Sequence, residues 1–124
     1  MSNKSILDID QNIVAALSYL FGPFSGIIVL IAEKHNKFVR FHALQSTMWF
    51  LMLMIAGWIV GILDHVLSGI WIVGWILSAT FGFIGFLLGV ISLVSLVYLI
   101  YKAFTGDTFK TPIIGDVVWA QINK

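Results

Sequence analysis

Long uncharged stretches separated by short polar segments dominate the chain. Residues 13–32 form the first apolar run, residues 43–63 the second, and residues 66–101 a third that carries no charged side chain. About 20 residues of helix, at about 1.5 Å each, cross the roughly 30 Å hydrocarbon core of a bilayer. The pattern therefore predicts an all-α integral membrane bundle, and the third run is too long for one span and short for two.

Small side chains divide this third run. They recur at alternating spacings of four and three residues, which places them on one stripe of a single helix. In lipid such a stripe lets another backbone approach closely. We therefore predict three spans, with a fourth possible between the last two, in a single membrane domain, residues 1–124. The spans are 13–32, 43–63 and 78–103, followed by a cytoplasmic tail, 104–124.

The predicted packing residues are glycines and serines of the second and third spans. Each of the three spans contains two glycines four residues apart, the first pair being Gly22 and Gly26. Such pairs favour tight helix packing, within one chain or between chains. The residues predicted to pack are Gly57, Gly61, Ser78, Gly82, Gly85, Gly89 and Ser92.

Gly22 and Pro23 interrupt the middle of the first run. Proline removes a backbone donor and clashes with the preceding turn, so a kink or a break is expected there. Pro23 could instead begin the second of two half-helices. Our prediction is a single kinked span.

Basic residues indicate the orientation, because they collect on the cytoplasmic side. One group lies between the first two spans and another follows the last span. Three spans put both groups on one side, which predicts an N-out, C-in arrangement. The two groups are Lys34, Lys37 and Arg40, then Lys102, Lys110 and Lys124.

Composition supports membrane residence and excludes several functions. Of 124 residues, 60% are hydrophobic and only 10% are charged, against about 25% charged in soluble domains. The net charge of +1 gives no reason to expect a nucleic-acid partner, and the absence of cysteine excludes disulfides and thiolate chemistry. We find no nucleophile–base pair, phosphate-binding loop or paired carboxylates, so we predict neither an enzyme nor a cofactor.

The most polar segment, residues 33–46, is the candidate functional site. In one interpretation it is an amphipathic loop that anchors at the headgroups. In a second, its polar side chains turn inward and pair with carbonyls or acids of other helices. In a third, two histidines and an acid bind a metal, although no ligand spacing supports this. The candidates are Glu33, His35, Lys37, Arg40, His42 and Gln45.

Residues 38–46, with the sequence FVRFHALQS, resemble a known motif. It is similar to that of small prokaryotic membrane proteins described as chloroplast import-component-like, a group of largely unknown function. Gly106, Pro112 and Gly115 match the end of that pattern. Distant relatives include a subunit of the chloroplast inner-envelope import channel and membrane proteins of magnetosomes. The resemblance implies a prokaryotic cytoplasmic membrane and assigns no catalytic residues.

Three functions are consistent with this sequence. The first is a non-enzymatic scaffold or assembly component, surrounded by membrane lipid and associated with further copies or other membrane proteins. The alternative is a channel or translocation subunit with a polar path near Arg40 and His42. A third is a module that binds anionic headgroups through Lys34, Lys37 and Arg40. The apolar tail is expected along the interface or against the polar segment.

Overall fold

Five α-helices account for most of the chain in a computed structural model that describes residues 8–124. These residues divide into two compact units, one formed by 8–51 and 95–124 and the other by 52–94. The helices are α1 (Gln11–Leu20), α2 (Pro23–Ala32), α3 (Lys37–Leu67), α4 (Gly74–Phe104) and α5 (Ile114–Ile122).

A sharp turn separates α1 from α2. Gly22 has a φ of 63°, which glycine adopts without a steric penalty, and Pro23 occupies the first turn of α2, where its missing N–H costs nothing. The Ser25 hydroxyl accepts a hydrogen bond from the Phe21 amide (3.0 Å) and donates one to the Ser18 carbonyl (2.9 Å). Local sequence thus ends one helix, reverses the chain and begins the next.

The two short helices form an antiparallel hairpin. The Asn36 side chain, beyond the end of α2, donates a 2.9 Å hydrogen bond to the Gln11 side chain at the start of α1. Val14 of α1 and Val29 of α2 belong to one buried cluster. A helix through residues 13–32 would hold these valines more than 20 Å apart at about 1.5 Å per residue. The predicted single kinked span is therefore wrong, because the chain folds back at Gly22.

Two helices of the described chain, α3 and α4, are long and apolar enough to cross a membrane. Each has 31 residues and contains one predicted span, 43–63 or 78–103. The three predicted spans are thus not confirmed. A turn at residues 68–73 joins α3 to α4, in the stretch where a fourth span had been left open.

Gly26 lets the hairpin approach α3 closely. A Cβ at this position would lie 2.8 Å from the Ala43 carbonyl oxygen and 2.7 Å from the Thr47 hydroxyl. Nearer the turn, the Ser46 hydroxyl donates a 2.9 Å bond to the Gly22 carbonyl. In the first glycine pair, Gly26 therefore allows close contact between α2 and α3 of the same chain.

Most of the predicted packing glycines have open space beside them in the described part of the chain. A Cβ at Gly57, Gly61, Gly82 or Gly89 would meet nothing within 4 Å, whereas one at Gly85 would lie 3.9 Å from Val60 Cγ1. The stripe on α4 is also split, since its five members differ in exposure. Ser78, Gly85 and Ser92 are half-buried, while Gly82 and Gly89 are exposed.

A glycine-dependent cap ends α4 and directs the following chain back onto α3. Gly106 has a φ of 83°, the Asp107 amide bonds to the Lys102 carbonyl, and the Gly106 amide bonds to the Ala103 carbonyl. This pattern of 6→1 and 5→2 bonds is the Schellman motif. The linker, residues 105–113, then leads to α5, whose Trp119 packs edge-on against Phe41 of α3 with ring centroids 5.7 Å apart.

Candidate functional site

The polar segment at the start of α3 points into the protein. His42, Gln45 and Ser46 are fully buried, as is Phe41. A headgroup-anchored loop would leave these side chains exposed. The structure therefore contradicts the first interpretation and agrees with the second, in which polar side chains pair with groups of other segments.

His42 bridges α1 and the linker. Its Nε2 lies 2.8 Å from the Asp107 carbonyl oxygen, and its Nδ1 lies 2.7 Å from the Tyr19 hydroxyl. Because a carbonyl can only accept, we assign the ring proton to Nε2, and the Tyr19 hydroxyl then donates to Nδ1. Both ring nitrogens of His42 are thus used inside the protein.

Gln45 continues this network one turn further along α3. Its Nε2 donates to the Tyr19 hydroxyl and to the Phe109 carbonyl, both at 2.9 Å. Its Oε1 accepts the Thr111 amide at 3.0 Å and the Thr111 hydroxyl at 3.3 Å. The amide group of Gln45 therefore makes four hydrogen bonds, one with the Tyr19 hydroxyl of α1 and three with the linker.

Together Tyr19, His42, Gln45 and Thr111 form a network that we call the polar clasp. Each hydrogen-bond donor of these four side chains has an acceptor. In lipid such satisfaction is needed, because no water is present to replace a missing partner. The clasp connects α1, α3 and the linker after α4, and its hydrogen bonds fix the positions of these three segments relative to one another.

Arg40 and Glu33 cap helices nearby. One Arg40 guanidinium nitrogen donates to the Leu30 carbonyl at 3.2 Å and to the Glu33 carbonyl at 2.6 Å, which satisfies the C-terminal end of α2. The buried Glu33 carboxylate accepts the amides of His35 and Asn36, both at 3.0 Å. These side chains fix the loop between α2 and α3.

The other two predicted site residues lie at the surface. His35 and Lys37 are exposed, and His42 has no nitrogen left for a metal. Within residues 8–124, no group of three His, Asp or Glu side chains is arranged to hold a metal ion. The third interpretation, a metal site, is therefore not supported by any set of ligands in this part of the chain.

Several members of the clasp lie outside the segment that the sequence singled out. Tyr19 is the one tyrosine of the first apolar run, and a buried tyrosine usually needs a hydrogen-bond partner, so its position was a usable signal. Thr111 and the linker carbonyls of Asp107 and Phe109 carry no such signal. The tail does pack against the polar segment, which was one of its two expected positions.

Fold and site define a small all-helical membrane protein, in which the polar clasp joins a short helical hairpin to the first of two long apolar helices and to the linker after the second. Residues 10–118 match the family model described as the magnetosome magnetite crystal formation protein family. The chain belongs to this family.

Archaeal membrane proteins are among its relatives. A UPF0132 membrane protein of Methanocaldococcus jannaschii is 38% identical over 114 residues, covering 92% of this chain and 90% of the relative. Another, from Archaeoglobus fulgidus, is 40% identical over 112 residues, covering 90% and 95%. No solved structure matches the chain. These relatives support an integral membrane protein, and the likeness to a chloroplast import component stays a prediction.

Proposed function

We propose that this protein is a non-enzymatic membrane scaffold, which assembles through the sides of α3 and α4. One observation carries the proposal. Four glycines on these helices, Gly57, Gly61, Gly82 and Gly89, face open space among residues 8–124. Small residues in lipid allow close helix contact, and these four make no such contact within the described residues. They are therefore available to a second copy or to another membrane protein.

The polar clasp supports a structural role for the most polar segment. His42 and Gln45 are fully buried, and their polar atoms are bonded inside the protein. A translocation path would need such groups to face a water-filled cavity. The geometry therefore favours the scaffold over the alternative of a channel subunit. The family description names magnetite crystal formation, and what we propose for this chain is the membrane framework alone.

The orientation that we propose has both ends of the chain in the cytoplasm. The hairpin starts and ends beside the beginning of α3, as the bond between Gln11 and Asn36 requires. The basic groups around the start of α3 and around and beyond the end of α4 then lie on one side after two crossings, and they favour the cytoplasm. This replaces the N-out, C-in expectation, which depended on a third span.

Leucine in place of both Gly82 and Gly89 is expected to reduce assembly. Two bulky side chains on this exposed stripe would keep a neighbouring helix away, and the particle mass in mild detergent should fall toward that of a monomer. Static light scattering after size-exclusion chromatography measures this mass. The matched control is Val94→Leu, which adds bulk at an exposed α4 position that is not a glycine. A wild-type protein that is purely monomeric, at every concentration, would remove the basis for the proposal.

A further inference from the structure

The outer face of the hairpin is apolar, and residues 8–124 leave it exposed. Its side chains are between 47% and 70% exposed, and the described part of both helices carries no charge on this face. The face continues through the turn at residues 21–22. It comprises Leu17, Leu20, Phe21, Phe24, Ile28 and Ile31.

The depth of the hairpin can be measured along α3. At its open end, Arg40 reaches the carbonyls of Leu30 and Glu33. At its turn, Gly22 contacts Ser46, and a Cβ on Gly22 would meet Phe50 at 3.6 Å. Ser46 lies about 14 Å along α3 from Lys37 at about 1.5 Å per residue. The turn therefore ends before the midpoint of α3.

This depth corresponds to one leaflet. Each hairpin helix has ten residues, or about 15 Å, which is half of a hydrocarbon core about 30 Å thick. The long helices α3 and α4 are sufficient for both leaflets. The hairpin therefore adds two short helices to the leaflet in which α3 begins.

We propose that the hairpin face binds the acyl chains of that single leaflet, and that the protein therefore concentrates where this leaflet is convex. The inference rests on the proposed membrane scaffold. A convex leaflet has more area per lipid to offer, so inserting two extra helices there costs less. Binding of apolar helices to a leaflet is sensitive to curvature for the same reason.

Charge placement favours lipid over a protein partner on this face. Lys34 and Lys37 are exposed at the open end of the hairpin, where anionic headgroups would meet them. The turn at the other end exposes Phe21 and Phe24. The open end of the hairpin is thus polar and basic, and its turn is aromatic. This order matches the fall in polarity from the headgroups to the acyl chains of one leaflet.

Tube pulling from giant liposomes tests this proposal. The full chain is labelled through Asn123→Cys and reconstituted at low surface density in phosphatidylcholine with an anionic lipid. Its fluorescence, divided by that of a lipid dye, is then compared between the tube and the flat membrane. A membrane-impermeant quencher separates the two orientations. Molecules with residue 123 outside should be enriched about twofold on the tube, and those with residue 123 inside should be depleted.

A pair of matched variants locates the effect. Alanine at Phe24, Ile28 and Ile31 shrinks the hairpin face and should lower the enrichment toward one. Alanine at Phe83, Phe86 and Leu93, which are similarly exposed on α4, should leave the enrichment unchanged or raise it.

Three outcomes would overturn the proposal. One is equal sorting in both orientations, and another is an equal loss of enrichment in both triple variants. The third is enrichment that vanishes at low surface density, because this would assign the hairpin face to a second copy. Failure here is distinguishable from failure of the scaffold proposal, since sorting is measured on isolated molecules and assembly by mass.

Discussion

Replacing Gln45 with leucine is expected to lower the free energy of unfolding by about 2 to 4 kcal/mol. Leucine fills a similar volume but removes all four hydrogen bonds of the amide. The Phe109 carbonyl then loses a donor and the Thr111 amide loses an acceptor, and each buried group left without a partner costs about 1–3 kcal/mol. The linker should detach from α3 before the helices themselves unfold.

Titration with sodium dodecyl sulfate, followed by circular dichroism, measures the change in unfolding free energy. The matched control is Gln121→Leu, because Gln121 is exposed on α5, and we expect a change within about 0.5 kcal/mol. If both variants unfold at the same detergent fraction as the wild type, the clasp does not stabilise the fold.

Alanine at Gly26 is expected to cost about 1–3 kcal/mol. The added Cβ would lie 2.8 Å from the Ala43 carbonyl oxygen and 3.0 Å from the Thr47 amide nitrogen. Both are backbone atoms of α3, so no side-chain rotation relieves the contact, and α2 must move away as a whole. The same titration measures this loss.

Gly85→Ala is the control for this substitution. A Cβ at Gly85 would lie 3.9 Å from Val60 Cγ1, which is an ordinary van der Waals contact, and alanine is a better helix former than glycine by about 1 kcal/mol. This variant should therefore be as stable as the wild type or more so. A Gly26→Ala protein that matches Gly85→Ala would show that α2 does not pack on α3 at Gly26.

The two long helices follow directly from sequence. Residues 43–63 and 78–101 are uncharged over the length that a bilayer requires. Small residues at helical spacing indicate that the second of these stretches is one unbroken helix. Both helices begin before the predicted spans, since α3 begins at Lys37 and α4 at Gly74. Hydropathy identifies the part of a helix that faces lipid. The helical turns outside this apolar stretch are not distinguished by their hydropathy.

The first apolar run was misjudged because length alone cannot distinguish one span from two half-length helices. Pro23 gave a local signal for a break, but the reversal depends on the positive φ of Gly22 and on bonds from Ser25. The basic residues do not distinguish one span from two half-length helices. They lie around the start of α3 and around and beyond the end of α4, so their sides agree whether or not residues 13–32 cross the membrane.

The candidate site was found, but its direction could not be derived. FVRFHALQS stands out because lipid solubility does not require its polar residues. Whether His42 and Gln45 face headgroups or protein depends on partners 64 to 66 residues away in sequence. Those partners are mostly backbone groups of the linker, which no residue type reveals.

Single-cysteine accessibility tests the hairpin most directly, because the chain has no cysteine of its own. Asp8, His35, Ser68 and Asn123 are exposed, and each is replaced by cysteine in turn and treated with a membrane-impermeant maleimide in sealed vesicles of known sidedness. A re-entrant hairpin predicts that positions 8, 35 and 123 react from the same side and position 68 from the other. Labelling of positions 8 and 35 from opposite sides would contradict the hairpin and restore a full first span.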